Sequence, residues 1–334
     1  MNFSEIIASI QKKSFSPVYF LQGDEPFFID QISDAIEKFA LEEHEKDFNQ
    51  TILYGKDIKD VDEIIAIAKK YPMMAERQVV MVKEAQNLSK TIEKIVPYIE
   101  NPLNTTVLVF CYKYNSLRAN SKLYKSLSKW IIFNSDKIKD YQLPQWIEKQ
   151  GKEMALTIAP KEAILLSDFL GNDLSKIIQE LEKLKILLKE SNNVTSEIIE
   201  KNIGISKEYN MFELGNALSV KNYQKISMIA NYAAANSKTF PMVLVTSYLY
   251  GYFSKIMKLH FAKNKTNDAE LAKELKLHPF VVKEYKKAAA NYPPKTISRI
   301  INELKNYDIK SKGVGISTID DGELIKELLF KISH

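Results

Sequence analysis

Tyr71-Pro72-Met73-Met74-Ala75-Glu76-Arg77-Gln78-Val79-Val80-Met81-Val82 is the stretch on which the fold turns. Before it, Val61, Ile64, Ile65 and Ala68 recur at helical spacing, and Asp60 with Glu63 supplies an N-terminal capping pattern. Pro72 cannot continue a helix and disfavours helical geometry at Tyr71. After it, Val79 to Val82 is a short unbroken apolar run, the pattern of a parallel strand buried on both faces. Two methionines therefore sit at a forced break between helix and strand. Two readings are open for Met73 and Met74. They fill a gap between helix and sheet, which the pattern alone favours, or they form an adaptable apolar plug offered to a partner.

Outward from this break the chain alternates. Val18-Tyr19-Phe20-Leu21 is a strand signal ending at Gly23, and Pro26 suits the first turn of a helix with Ile29, Ile32, Ala35, Ile36, Phe39 and Ala40 on one face. Phe48 to Tyr54 reads as a strand, Ile92 to Ile99 as a helix, Val107 to Cys111 as a strand, Leu117 to Leu127 as a helix and Ile131 to Phe133 as a last strand. Strand–helix repeats with short connections predict an α/β domain over 1–140, a parallel sheet with helices on both faces.

Past Tyr141 the strand signals nearly vanish. Helical patterns run from Trp146, from Pro160 to a stop at Gly171, and along the stripe Leu174, Ile177, Ile178, Leu181, Leu184 and Leu188 after Asn172 or Asp173 as a cap; a short helix follows Thr195. Beyond the polar connection Gly204 to Asn210, further helices are expected over 212–218, 223–235, 241–261, 269–275, 281–290, 297–307 and 324–332. Two all-helical domains, 141–207 and 208–334, are thus predicted.

The chemistry expected of such an α/β domain is missing. Its first strand leads into Gly23-Asp24-Glu25-Pro26-Phe27, without the second glycine, Lys and Ser or Thr of a phosphate-binding loop, and Asp24 and Glu25 would repel phosphate. Val79 to Val82 leads to Lys83-Glu84, not to the acidic pair that holds magnesium in a hydrolysing relative. His44, His260, His278 and His334 lack metal-ligand spacing, and Gly313-Val314-Gly315-Ile316-Ser317 is no nucleophile elbow. Cys111, the single cysteine, lies in an apolar run and reads as a buried thiol in a reducing cytosol. No catalytic, cofactor-binding or metal residue is assigned.

Among 334 residues, 45% hydrophobic and 27% charged, Lys and Arg outnumber Asp and Glu by 47 to 42, a net +5. That mild excess permits nucleic-acid contact without demanding it. No charged-then-apolar leader opens the chain and no apolar run reaches membrane-spanning length, so a cytoplasmic protein with no membrane partner is expected. Leu271 to Lys283 resembles a helix-turn-helix with Lys283, Lys286 and Lys287 on the second helix, but Val281, Val282, Tyr285 and Ala289 give that helix a burial face.

Several short motifs, each weak alone, gain specificity from their order. They are Pro17-Val18-Tyr19-Phe20-Leu21-Gln22-Gly23-Asp24-Glu25, Met73-Met74-Ala75-Glu76-Arg77-Gln78-Val79-Val80, Gly171-Asn172-Asp173-Leu174 leading into Ile178-Gln179-Glu180-Leu181-Glu182-Lys183-Leu184, and Asp308-Ile309-Lys310-Ser311-Lys312-Gly313. Together they resemble the delta subunit of the bacterial DNA polymerase III clamp loader, over nearly the whole chain. The resemblance implies an AAA+-like fold with a helical lid and a helical collar joining a five-subunit ring. It implies a non-catalytic part of the polymerase holoenzyme in DNA replication, with ATP and magnesium held by partner subunits. Its partners would be the sliding clamp, whose interface it opens or holds open, the other loader subunits, and primed DNA through the assembled complex. Met73 and Met74 occupy the positions of the family's clamp-binding pair, where well-known relatives carry one aromatic residue. Lys310 and Lys312 become candidate phosphate contacts. The alternatives are a catalytically silent AAA+-like adaptor of another assembly and a helix-turn-helix DNA-binding protein.

Overall fold

A computed structural model describes residues 1–188, 191–206, 208–313 and 320–334. The chain forms two compact units, Met1–Ile138 and Lys139–His334. In the first, α1 (Phe3–Gln11), β1 (Val18–Gly23), α2 (Pro26–Phe39), α3 (Lys46–Asn49), β2 (Gln50–Tyr54), α4 (Val61–Ala68), β3 (Gln78–Lys83), α5 (Val96–Glu100), β4 (Thr106–Lys113), α6 (Lys122–Ser126) and β5 (Ile131–Asn134) follow in order. The five strands are all parallel, in the order β2-β3-β4-β1-β5.

Strand side chains alternate between faces, and each face of this sheet has its own core. Val18, Phe20, Val80, Val82, Leu108 and Phe110 pack against Val61, Ile64 and Ala68 of α4 and against Leu123 and Leu127. Tyr19, Leu21, Val79, Met81, Val107, Val109 and Cys111 pack against Ile6 and Ile10 of α1 and Ile29, Ile32 and Ile36 of α2. Covering both faces is why the strand sequences are apolar runs instead of alternating patterns. Burial pushes the Cys111 thiol up to about 12, so it stays protonated and unreactive, as its apolar setting suggested.

Three sequence expectations shift here. Lys46–Asn49 is a helical turn, so β2 begins at Gln50 and not at Phe48. The helix expected over 117–127 shrinks to α6 and a 3-10 turn, Leu127–Lys129, because Gln22 Oε1 in β1 accepts the amide of Leu117 and holds the preceding segment as a loop. The helix expected over Ile92 to Ile99 opens as a 3-10 turn, Ile92–Ile95, before α5. The helix before Pro72 ends at Ala68, the last residue of its apolar pattern. Its terminal carbonyls find donors elsewhere: Tyr98 Oη (3.1 Å) and Thr106 Oγ1 (2.9 Å) both donate to Ala68 O. The Gln78 amide lies among the carbonyls of Ile67, Ala68 and Lys70 and is 2.9 Å from Thr106 Oγ1. Gln78, Tyr98 and Thr106 are all buried. Pro72 has no amide to reach Ala68 O four residues back, and these tertiary donors take its place.

The second unit holds α7 (Leu143–Glu153), β6 (Thr157–Ile158), α8 (Pro160–Leu170), α9 (Leu174–Leu188), β7 (Asn193–Val194), α10 (Ser196–Ile203), α11 (Met211–Ser219), α12 (Tyr223–Ala235), α13 (Met242–Phe261), α14 (Asp268–Leu275), α15 (Val282–Asn291), α16 (Pro294–Ser311) and α17 (Asp321–Ser333). A two-residue parallel pairing of β6 with β7 was not foreseen. Gly171 ends α8 with φ +67°, Asp173 Oδ1 accepts the Lys176 amide at the start of α9, and Thr195 caps α10. Both stretches expected as separate helical domains lie within this unit, and Lys161 of α8 pairs with Glu213 of α11 at 2.8 Å. Residues 314–317 of the glycine-containing Gly313–Ser317 motif lie outside the described residues.

Gln78→Met keeps volume but removes the amide that serves the end of α4. Native-state hydrogen exchange at β3 and β4 amides should report a loss of about 1–3 kcal/mol. A change below about 0.3 kcal/mol would mean that water serves these carbonyls equally well.

Candidate functional site

The loop from Lys69 to Arg77 joins α4 to β3 at the amino edge of the sheet. β2 lies beside β3, with Gln50 opposite Val79, so Asn49 at the end of α3 falls next to this loop. Asn49 is 3% exposed and grips Met73 from both sides: its Oδ1 accepts the Met73 amide (2.6 Å) and its Nδ2 donates to the Met73 carbonyl (3.0 Å). Arg77 lies over the Phe15 ring, 4.9 Å from its centroid, and Glu76 pairs with it at 3.0 Å. The loop backbone is thus fixed at Met73, at Arg77 and at the Gln78 network.

The side chains it carries point the other way. Met73 is 60% and Met74 98% exposed, so neither fills a gap between helix and sheet; that reading is wrong. Both lie in a bend over residues 73–76, outside the helix and the strand. Met74 has φ +54°, a left-handed geometry that costs an L residue about 1–2 kcal/mol. Phe48, 72% exposed and next to Asn49, and Tyr71, 77% exposed, add apolar surface on the segments joined by Asn49. Sequence reasoning missed Phe48 and Asn49 because it placed both at the start of β2. The polar Asn49-Gln50 pair after Phe48 was the available signal that the strand begins later.

At the opposite, carboxyl edge, the turn after β1 is closed on itself. Gly23 N–H donates to Asn115 O (3.0 Å) and Glu25 N–H to Ser135 O (3.0 Å), while Ser135 Oγ donates to Glu25 O (2.6 Å). The buried Glu25 carboxylate accepts the Phe27 amide (3.1 Å) and caps α2. An anion-binding helix terminus here already holds the chain's own carboxylate. Gly23, at φ +129°, is required by closeness: a Cβ there would lie 2.3 Å from Ser135 O.

The other candidates are not brought together. Lys312 pairs with Asp308 at 2.6 Å, and Lys310 lies over the Tyr307 ring, 4.5 Å from its centroid. In the helix-turn-helix-like segment Val282, Tyr285 and Ala289 are buried and Lys286 pairs with Asp268 of α14, the arrangement of a packed helical hairpin. Burial raises the neighbouring Glu284 carboxyl to about 7, as expected of a helix face turned into a cleft. Among the described residues no cluster of His, Cys, Asp or Glu could hold a metal, and no helix is long and apolar enough to cross a membrane.

Asn49→Ala should release the Met73 backbone while the strands persist. Exchange of the Met73 amide should rise about tenfold to hundredfold, the loss of two hydrogen bonds of about 0.5–1.5 kcal/mol each. Equal acceleration across β2 and β3 would show that Asn49 holds the sheet instead of the loop.

Comparison with known proteins agrees with this architecture. Family models described as DNA polymerase III, delta subunit, and DNA polymerase III delta subunit, C-terminal domain, match residues 19–136 and 208–331, together well over half of the chain. DNA polymerase III subunit delta of Bacillus subtilis is 24% identical over 320 residues, covering 92% of this chain and 91% of that protein. The solved structure of the Bacillus subtilis DNA clamp loader delta protein matches the fold with a TM-score of 0.56 and 24% identity, covering 99% of both chains. With both family domains present in order, on a parallel α/β unit followed by a helical one, the chain belongs to the delta-subunit family of the DNA polymerase III clamp loader.

Proposed function

We propose that this chain binds the sliding clamp through Met73 and Met74 and opens or holds open one clamp interface during loading onto primed DNA. The carrying observation is the pair of exposed methionines on a backbone pinned by the buried Asn49. A binding plug needs apolar bulk in water before docking and a fixed base, so that little freedom is lost on association. Left-handed geometry at a fully exposed Met74 costs energy without any packing return inside this chain, which supports a role toward a partner. Phe48 and Tyr71 are likewise exposed on the two segments that Asn49 joins.

The chain acts without its own nucleotide in this reading. The Gly23 and Glu25 amides of the turn after β1 are taken by Asn115 and Ser135, and Glu25 occupies the helix end where a phosphate would lie. ATP and magnesium would then belong to neighbouring subunits of a five-subunit ring, with 141–207 as lid and 208–334 as collar. The interval between the two family matches falls on the proposed lid, which supports that division.

Two measurements test this. Replacing Met73 and Met74 by Ala should weaken clamp binding roughly a hundredfold or more, since each buried Met contributes about 1.5–3 kcal/mol and ~1.4 kcal/mol is tenfold. The melting temperature should stay put, because both side chains are exposed; a lower melting temperature with unchanged clamp affinity would reject the plug. Calorimetric titration of magnesium-ATP into the full chain should give no heat of binding. Micromolar affinity that depends on Gly23 or Glu25 would show that the closed turn opens to nucleotide.

A further inference from the structure

Between Glu100 and Asp136 the chain contains no acidic residue, yet it carries Lys113, Arg118, Lys122, Lys125 and Lys129. Lys113 pairs with Asp30 (2.6 Å). The other four are exposed, and among the described residues none of them has an ion-pair partner. Lys122, Lys125 and Lys129 recur at i, i+3 and i+7 along α6 and the 3-10 turn after it, which brings them to one face. Together with Ser126 and Glu100 they line a shallow groove.

We propose that this lysine-lined groove on the first unit binds the phosphodiester backbone of nucleic acid. The stripe is held rigidly. Leu123 and Leu127, on the other side of the same segment, are fully buried in the sheet core, and Trp130 Nε1 donates to Ile99 O at 2.8 Å, tying the turn to α5. Cations on a fixed platform meet a regular array of phosphates with little loss of freedom. The groove lining favours nucleic acid over an acidic peptide. A peptide interface relies on a few apolar anchors in pockets, and no apolar side chain lines this groove. Phosphate contacts need only charge and donors and carry no sequence information. Glu100, which accepts from Ser126 Oγ at 3.4 Å, is the one opposing charge and weakens the field at the groove. By contrast, Lys312 is neutralised by Asp308.

The test is fluorescence anisotropy of the full chain with a labelled oligodeoxythymidine and a labelled duplex, as a function of salt. Replacing Lys122, Lys125 and Lys129 by Gln should reduce affinity at low salt at least tenfold. It should lower the slope of log affinity against log salt by about 2 on the single strand and about 3 on the duplex. Arg at the same three positions should restore both. Glu100→Gln should tighten binding about twofold to fivefold, the worth of one exposed charge, which tests the groove without removing any lysine. The Met73 and Met74 double Ala variant should bind DNA like the parent, so a failed clamp reading leaves this result untouched. Unchanged affinity and slope in the triple Gln variant would overturn the proposal. So would a loss found only on replacing Lys310 and Lys312, or tighter binding of a polyglutamate peptide through the same three lysines.

Discussion

A single buried carboxamide sets the geometry on which the first unit depends. Gln78 is the first residue of β3, and its side chain turns back to the last carbonyls of α4. A buried amide left unpaired here, and the Lys70 carbonyl beside it, would each cost about 1–3 kcal/mol. Thr106 and Tyr98 complete it from β4 and α5, so the end of one helix is tied to a strand pair and a second helix. Everything between Ala68 and Gln78 is then a short bridge of fixed ends. Within it Pro72, Ala75 and Arg77 are half-buried, while Tyr71, Met73 and Met74 are exposed.

That bridge and the turn after β1 occupy opposite edges of the same sheet. In parallel α/β folds the carboxyl edge is where ligands usually lie, because the strand ends and helix N-termini converge there. Here that edge is filled by the protein itself, through Glu25, Ser135 and Asn115. The amino edge, ordinarily structural, carries the exposed Phe48, Tyr71, Met73 and Met74. Asn49 links the two segments that bear them, using both its donor and its acceptor on one residue, Met73.

Charge follows a similar division of labour. The net excess of +5 is small, and many lysines are matched in surface pairs such as Lys13–Glu42, Lys94–Asp60 and Lys331–Glu303, which individually stabilise little. What distinguishes α6 is the absence of acids along the segment, not the number of lysines. A modest global charge can coexist with a local field strong enough to attract a polyanion.

The sequence by itself determined the parallel α/β unit, the helical remainder and the apolar character of the buried strands, because hydrophobic periodicity reports directly which faces are covered. Val79 to Val82, Leu174 to Leu188 and the caps Asp173 and Thr195 were legible in this way. So was the lack of a phosphate-binding loop after Gly23. The tertiary structure alone decided whether Met73 and Met74 are core or surface. Pattern reading put them at a helix end stopped by Pro72, where packing is the ordinary outcome. The carbonyl of Ala68, which has no amide to meet at Pro72, is instead served by Tyr98 and Thr106, distant in sequence. Asn49 likewise gained its role only from the alignment of β2 beside β3. Polar contacts of this kind leave no periodic trace in the chain: they depend on two or three atoms meeting at about 3 Å, and only the folded backbone sets those distances.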